Sequence, residues 1–155
     1  MSEPHDGTPS AATLYLSGRT LDDVGTTRDF VRSALRREDP DIVHTAVLLT
    51  SELATNALIH ADRDADLAPT PTPHLAYPRP FHVTVDACFQ EICILVCGKG
   101  SRLAVVKPKK DREWDESGRG LALVAALSET WGTHGDAFSR TVWFVLKRTP
   151  TPIVA

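Results

Sequence analysis

Three polar side chains recur every four residues within an otherwise apolar stretch of this 155-residue chain: Glu52, Asn56 and His60. At about 3.6 residues per turn, this spacing keeps them along one slowly drifting stripe of a helix, about 12 Å long. A carboxylate, an amide and an imidazole among apolar neighbours cost desolvation energy unless something pairs with them. The pattern therefore fits a site for a metal-bound chain of phosphates. A polar helix edge facing solvent gives the same pattern.

A second stretch, residues 117–121, reads Ser-Gly-Arg-Gly-Leu and runs into an apolar helical pattern that ends at Leu127. Glycine lets the backbone come close to a ligand, and the free N–H groups of a first helical turn attract anions. Gly118 and Gly120 are therefore candidate phosphate contacts, with Arg119 between them directed to a nucleotide or to a protein partner. The alternative is a pair of glycines that starts a helix for packing reasons alone.

Together, in this order, the two stretches resemble the ATP-binding fold shared by histidine kinases, DNA gyrase and related ATPases. More closely, residues 52–61 and 116–132 are similar to the small single-domain anti-sigma-factor serine/threonine kinases of bacteria. The resemblance covers roughly residues 14–147. It implies an α+β two-layer sandwich of the Bergerat type.

The resemblance also assigns roles to individual residues. Glu52 matches the family's general base, and Asn56 matches the asparagine that binds the Mg²⁺ bridging the phosphates of ATP. His60 matches a position near the phosphates. The segment from Gly118 to Leu121 matches the glycine-rich phosphate contact of the family, and Thr141 matches a threonine that helps to hold adenine.

One departure from the family pattern concerns the nucleotide base. The family's strand before the ATP lid ends Val-x-Asp-x-Gly, and its aspartate accepts the adenine amino hydrogen. Here Gly98 stands at the position of that aspartate, and Gly100 is the later glycine. An alignment shifted by one residue places Cys97 at this position, and Cys97 is no better as an acceptor. Losing a bond worth about 1.5–3 kcal/mol weakens adenine binding about ten- to a hundredfold. Reduced affinity, relaxed base preference and no nucleotide binding are all compatible with this change.

The function implied is that of a regulatory kinase that binds ATP and Mg²⁺. It would phosphorylate an anti-sigma-antagonist protein and sequester a sigma factor. The alternative, which Gly98 favours, is a catalytically inactive partner-switching module of the same fold with weak or no nucleotide binding. A histidine-kinase catalytic half fits less well, because no helical hairpin carries a phosphoacceptor histidine. Relatives commonly dimerise, so a homodimer is compatible with the resemblance.

Composition and charge limit the classes of protein to which this chain can belong. Apolar residues make up 42% and charged residues 24%, which is typical of a globular domain. A net charge of −3 gives no basic field for nucleic acid, and we expect no direct nucleic-acid partner. No apolar run approaches the roughly 18 residues of a membrane span. The N-terminus lacks the charged start followed by an apolar stretch that is typical of a signal peptide. We therefore expect a cytoplasmic protein without membrane contact. Three cysteines at 88, 93 and 97 predict buried thiols rather than a disulfide framework.

The elements that position the candidate residues follow from periodicity. Helices are predicted over 21–37, 42–60 and 119–128, the second capped by Asp41. Strands are predicted over 13–16, 81–87, 91–97, 131–134 and 140–147, with a hairpin at 88–90. Because consecutive strands are mostly joined by hairpins, we expect a mixed, mostly antiparallel sheet with helices on one face.

The remaining segments are predicted as tails and loops around one domain over 13–148. Residues 1–12 and 149–155 form the tails. Five prolines exclude regular structure over 62–80. Residues 98–117 resemble an ATP lid, whose lysines could close over a triphosphate or remain a solvated loop.

Overall fold

Three helices lie against one face of a five-stranded sheet in the computed structural model, which describes residues 10–59, 78–99, 116–136 and 138–148. In chain order the elements are β1 (Ser10–Leu16), α1 (Asp22–Ala34), α2 (Pro40–Ile59), β2 (Phe81–Ala87), β3 (Glu91–Lys99), α3 (Glu116–Leu127), β4 (Thr130–Gly135) and β5 (Ser139–Lys147). The strand order is β1-β2-β3-β5-β4.

The α+β prediction is confirmed, and the architecture is consistent with a two-layer sandwich. The expectation of a mixed sheet is wrong for the described strands, because all four of their pairings are antiparallel. The first strand begins at Ser10, inside the predicted tail. The predicted tail over 149–155, most of the proline-rich loop and the centre of the lid-like loop lie outside the described residues.

The sheet places alternate side chains on opposite faces, and one face is apolar. On that face β2 and β3 pair Val83 with Val96 and Val85 with Ile94, and all four side chains are buried. The same face continues across β5 through Phe144, which pairs with Ile94 and is fully buried. The helices cover this face. A residue at a strand end that is an even number of positions away from these buried residues therefore also faces the helical layer.

Helix α2 is the central helix of the core. Its buried residues are Ala46, Leu49, Thr50, Ser51, Leu53, Ala54 and Leu58. With 20 residues and a hydropathy of 1.4, α2 is long and apolar enough to cross a membrane, contrary to the expectation for any apolar run. The core helix of a folded domain meets the same criteria, and 44% of the apolar window is buried inside the structure.

Asp39 starts helix α2. Its side-chain Oδ1 accepts a hydrogen bond from the N–H of Asp41 at 2.8 Å, and its carbonyl accepts one from Val43 at 3.0 Å. Pro40 occupies the first helical position, where its fixed φ suits the helix and its missing N–H costs nothing. The prediction of Asp41 as the cap is therefore wrong, because the residue before the proline already supplies the capping oxygen.

Gly18 forms the turn between β1 and α1, with a φ of +67°. Its N–H donates to Asp23 Oδ2 at 2.8 Å, and its carbonyl accepts from the Arg79 N–H at 3.0 Å. These two bonds tie the start of α1 to the chain entering β2. A Cβ at this position would lie 1.7 Å from the Arg79 carbonyl oxygen, so both the conformation and the space require glycine.

Arg148, directly after β5, joins three parts of the chain. Its guanidinium donates to both carboxylate oxygens of Glu38, at 3.1 and 2.6 Å, and to the Cys88 carbonyl at 2.6 Å. Its backbone N–H donates to the Gln90 carbonyl at 2.9 Å. The Glu38 side chain is only 12% exposed. The pair therefore fastens the α1–α2 connection to the β2–β3 hairpin and to the end of β5.

The three cysteines are free thiols. Cys88 is exposed, whereas Cys93 and Cys97 are half-buried, so the prediction of buried thiols is wrong for Cys88. Burial and the neighbouring Asp86 carboxylate raise the pKa of Cys93, which favours its neutral thiol.

Candidate functional site

Glu52 and Asn56 meet the first part of α3 at Gly120. A Cβ added to Gly120 would lie 3.1 Å from Glu52 Oε2, 3.2 Å from Glu52 Cβ and 3.3 Å from Asn56 Nδ2. The glycine backbone therefore lies directly against the carboxylate and the amide. Two residues of the first polar stretch and one of the second come together, although they are far apart in sequence.

The local sequence explains this arrangement. Leu49, Leu53 and Ala54 bury one side of α2 in the core. Glu52 and Asn56, one turn apart on the side that faces α3, are half-buried. A larger residue at position 120 would push the two helices apart, so the glycine sets their approach.

Helix α3 begins at Glu116, earlier than the sequence predicts, and this changes what its glycines do. The N-cap residue and the first three residues of an α-helix have amides without a carbonyl partner in the helix. With this start Gly118 is the third helical residue and belongs to that group, whereas Gly120 lies two residues beyond it. Gly120 is thus placed to allow the close approach of α3 to α2 rather than to supply a free N–H group. Leu121 is 7% exposed and packs in the hydrophobic core.

Gly98 lies in the last part of β3, on the face covered by helices. A Cβ there would lie 3.4 Å from Ala57 Cβ and 3.7 Å from Phe81 Cβ. Ala57 follows Asn56 in α2, so position 98 adjoins the Glu52–Asn56–Gly120 corner. Because neighbouring strand residues alternate in direction, Cys97 faces away from α2.

Thr141 is not brought to this corner. It pairs with Cys97 in the β3–β5 register. Directly opposed residues in an antiparallel pair share a face, so Thr141 lies on the side of the sheet away from the helices. The residue that faces the helical layer next to Gly98 is its register partner Arg140. Arg140 was not predicted as a site residue from the sequence. The alternation of apolar residues at 142, 144 and 146 nevertheless indicates that Arg140 lies on the same face of its strand as they do.

Two predicted site residues, His60 and Gly100, lie outside the described residues, and the Arg119 side chain is also outside the description. Within the described ranges, no group of three or more His, Cys, Asp or Glu side chains could hold a metal ion. A magnesium site of the predicted kind needs no such group, because Mg²⁺ keeps several waters and takes one or two protein ligands together with phosphate oxygens.

An open groove of about 350 Å³ lies between α1 and the first half of α2. Its lining residues are Arg32, Arg36, Glu38, Pro40, Val43, His44 and Val47. None of them belongs to the corner around Glu52. We place the candidate site at the corner, because the carboxylate of Glu52 and the amide of Asn56 from the first stretch meet Gly120 from the second stretch there.

No protein-family model matches the sequence, and no curated protein matches it either. Among solved structures, the chain is similar to the crystal structure of the RsbU and RsbW domains of Rv1364c from Mycobacterium tuberculosis, with a TM-score of 0.57 and 18% sequence identity. The match covers 94% of this chain and 35% of that chain, so this chain spans about a third of that structure's length. At this identity the similarity concerns the fold alone.

Proposed function

We propose that the chain is a cytoplasmic regulatory domain of the anti-sigma-factor kinase type, with the Bergerat ATP-binding fold. It would sequester a sigma factor and phosphorylate a serine or threonine of an antagonist protein. The observation that carries the proposal is the convergence of Glu52 and Asn56 on Gly120. The similarity in fold to a structure that contains an RsbW domain supports a regulatory role in a partner-switching system.

The residues of this corner fit the metal and phosphate part of a nucleotide. The amide oxygen of Asn56 suits a hard cation that keeps most of its waters. Gly120 lets the backbone of α3 approach Glu52 and Asn56 closely, and the first amides of α3, including that of Gly118, suit an anion. When bound, MgATP supplies the phosphoryl group and the metal charge that neutralises it.

Glu52 is the proposed general base. Its carboxylate would take the hydroxyl proton of the partner's serine while the hydroxyl oxygen bonds to the terminal phosphorus. In the same displacement the bond from that phosphorus to the bridging oxygen would break, and ADP would leave with that oxygen. The half-buried position of Glu52 leaves part of its side chain open to a partner's hydroxyl.

The first experiment is calorimetric titration of MgATP into the wild-type protein and into Asn56→Ala. We expect binding by the wild type and its loss in the variant, because the metal would lose its protein ligand. Thr55→Ala is the matched control, since the Thr55 hydroxyl donates to the Ser51 carbonyl at 2.8 Å within the same helix. Equal binding by wild type and Asn56→Ala would remove the nucleotide from this corner.

A second candidate function is a partner-binding module without catalysis, and Gly98 is the observation that favours it. Phosphotransfer from ATP to candidate antagonist proteins separates the two, with Glu52→Ala as the inactive control. A kinase transfers phosphate only with Glu52 present. If both proteins form a stable complex with the antagonist and neither transfers phosphate, the binding module is the better description.

A further inference from the structure

We infer that the groove between α1 and α2 is a docking surface for an acidic, amphipathic helix of a partner protein. The inference rests on the partner-binding part of the proposed function and names the chemistry by which the partner is recognised. It does not depend on a bound nucleotide, because the groove lies between α1 and α2, whereas the corner around Glu52 lies between α2 and α3.

The floor of the groove is apolar. Val43 and Val47 lie one helical turn apart on α2, and both pack against the hydrophobic core while part of each side chain stays exposed. Pro40 continues this apolar strip to the start of α2. The volume of about 350 Å³ is that of a binding cleft rather than of a packing defect. An apolar strip of this kind accepts the apolar face of a helix, whose anchors recur at every third or fourth position.

Polar nitrogen groups surround this floor. Arg32 and Arg36 line the groove from the α1 side, and the exposed His44 lines it from α2. Arg32 pairs with Asp29 at 3.1 Å, but the two side chains are 55% and 82% exposed, so a partner's carboxylate can replace that weak pair. Within the part of the chain that the structure describes, Arg36 and His44 form no ion pair with a carboxylate.

The acidic residue of the lining does not neutralise these arginines. Both carboxylate oxygens of Glu38 accept hydrogen bonds from Arg148, and the Glu38 side chain is only 12% exposed. The whole chain has a net charge of −3, whereas residues 28–37 contain four arginines and one aspartate. A local excess of positive charge on an acidic protein favours a partner segment that carries negative charge.

Carboxylates flanking an apolar ridge match this surface better than a nucleic acid does. A guanidinium donates two parallel hydrogen bonds to one carboxylate, which fixes the orientation of the partner. A sugar–phosphate backbone has no apolar group of matching shape for Val43 and Val47. It would also approach the exposed carboxylates of Asp39 and Asp41 at the start of α2, which repel phosphate.

The test measures the binding of three synthetic peptides to the whole chain by fluorescence anisotropy. The first peptide has about 16 residues, enough for an isolated helix, with leucines at every third or fourth position and glutamates on both sides of them. The second has lysine in place of every glutamate. The third has the composition of the first in an order without helical periodicity. We expect the first peptide to bind, and the other two to bind more weakly by about tenfold or more.

Matched charge reversals on the protein locate the binding surface. Arg36→Glu should weaken the first peptide by about tenfold or more, because a guanidinium of the groove becomes a carboxylate. Arg37→Glu makes the same change at an exposed neighbour outside the groove lining, and it should weaken binding by less than about threefold. Arg32→Gln repeats the test within the groove if Arg36→Glu does not fold.

Four results would overturn the inference. They are no binding of the first peptide, equal binding of the first and third peptides, equal weakening by Arg36→Glu and Arg37→Glu, and displacement of the first peptide by a short DNA duplex. The second of these describes a general affinity for polyanions, and the third a diffuse field of charge.

The same proteins separate this inference from the proposed nucleotide site. Asn56→Ala should bind the first peptide as the wild type does, because Asn56 is remote from the groove lining. Peptide binding by a wild type that does not bind MgATP would support the docking surface and contradict the nucleotide site. MgATP binding without peptide binding would support the nucleotide site and contradict the docking surface.

Discussion

The approach of α3 to α2 at Gly120 can be tested by adding a single methyl group. In Gly120→Ala the new Cβ would lie 3.1–3.3 Å from three atoms of Glu52 and Asn56. Glu52 Oε2 can rotate away, but Glu52 Cβ moves only with its helix. The two helices must therefore separate by a few tenths of an ångström, or the α3 backbone must shift.

Two terms of opposite sign set the expected stability of Gly120→Ala. Replacing glycine by alanine inside a helix stabilises a protein by about 0.5–1 kcal/mol. Overpacking a close contact costs about 1–3 kcal/mol. The net expectation is a loss of about 1 kcal/mol in the free energy of unfolding. With a urea dependence of about 1–3 kcal/mol per M, the midpoint falls by about 0.3–1 M.

Gly25→Ala isolates the first of these terms. Gly25 lies inside α1, and nothing comes within 4 Å of a Cβ added there. We expect this variant to gain the full helical benefit of about 0.5–1 kcal/mol. The difference between the two variants in urea unfolding then measures the cost of the contact at Gly120. If Gly120→Ala gains as much stability as Gly25→Ala, the close packing around Glu52 is refuted.

Three further perturbations test the scaffold around the site. Gly18→Ala should lower the free energy of unfolding by more than about 2 kcal/mol, because the left-handed conformation and the backbone clash both disfavour a side chain at this position. Thermal unfolding measures this loss. A loss below about 0.5 kcal/mol would contradict the geometry of the Gly18 turn. Arg148→Met should lower the free energy of unfolding in urea by about 2–3 kcal/mol, because it leaves the largely buried Glu38 carboxylate without its partner. Lys147→Met is the control, because it breaks an exposed ion pair and should change stability by less than about 0.5 kcal/mol. Equal effects of the two substitutions would refute the distinction between the pairs. Two backbone N–H groups lower the pKa of Asp136 below 3.8, so its stabilising effect is present above that value and disappears as the pH falls through the lower folded-state pKa. Asp136→Asn should lack this acid-dependent loss in unfolding measured against pH, and an unchanged acid profile would contradict the assignment.

Local patterns in the sequence predict most of the described elements. The bounds of β2 agree with the prediction at both ends, and the helix that carries Glu52 and Asn56 is displaced by only one or two residues. These segments are long and strongly periodic, so burial and local preference favour the same structure. The cap at Asp39 was missed because either aspartate around Pro40 can supply an oxygen, and only the geometry decides between them.

Features that depend on distant parts of the chain were not predictable. The sheet order places β5 between β3 and β4, and no local pattern specifies that neighbour. The pair formed by Glu38 and Arg148 joins residues 110 positions apart. The placement of Thr141 on the uncovered face follows from register, which a family motif does not encode. Gly120 was predicted as a free amide, whereas its role depends on where α3 begins.

The position of Glu52 and Asn56 on the core helix has a consequence for their motion. The amides of Leu53 and Ala54 lie between them in sequence, on residues that are 2% and 0% exposed. Hydrogen exchange at such amides requires α2 to leave the sheet, which is close to unfolding of the whole domain. This half of the site should therefore be as rigid as the domain itself. A ligand that binds here finds the carboxylate and the amide already in place, and most of the ordering that accompanies binding has to occur elsewhere.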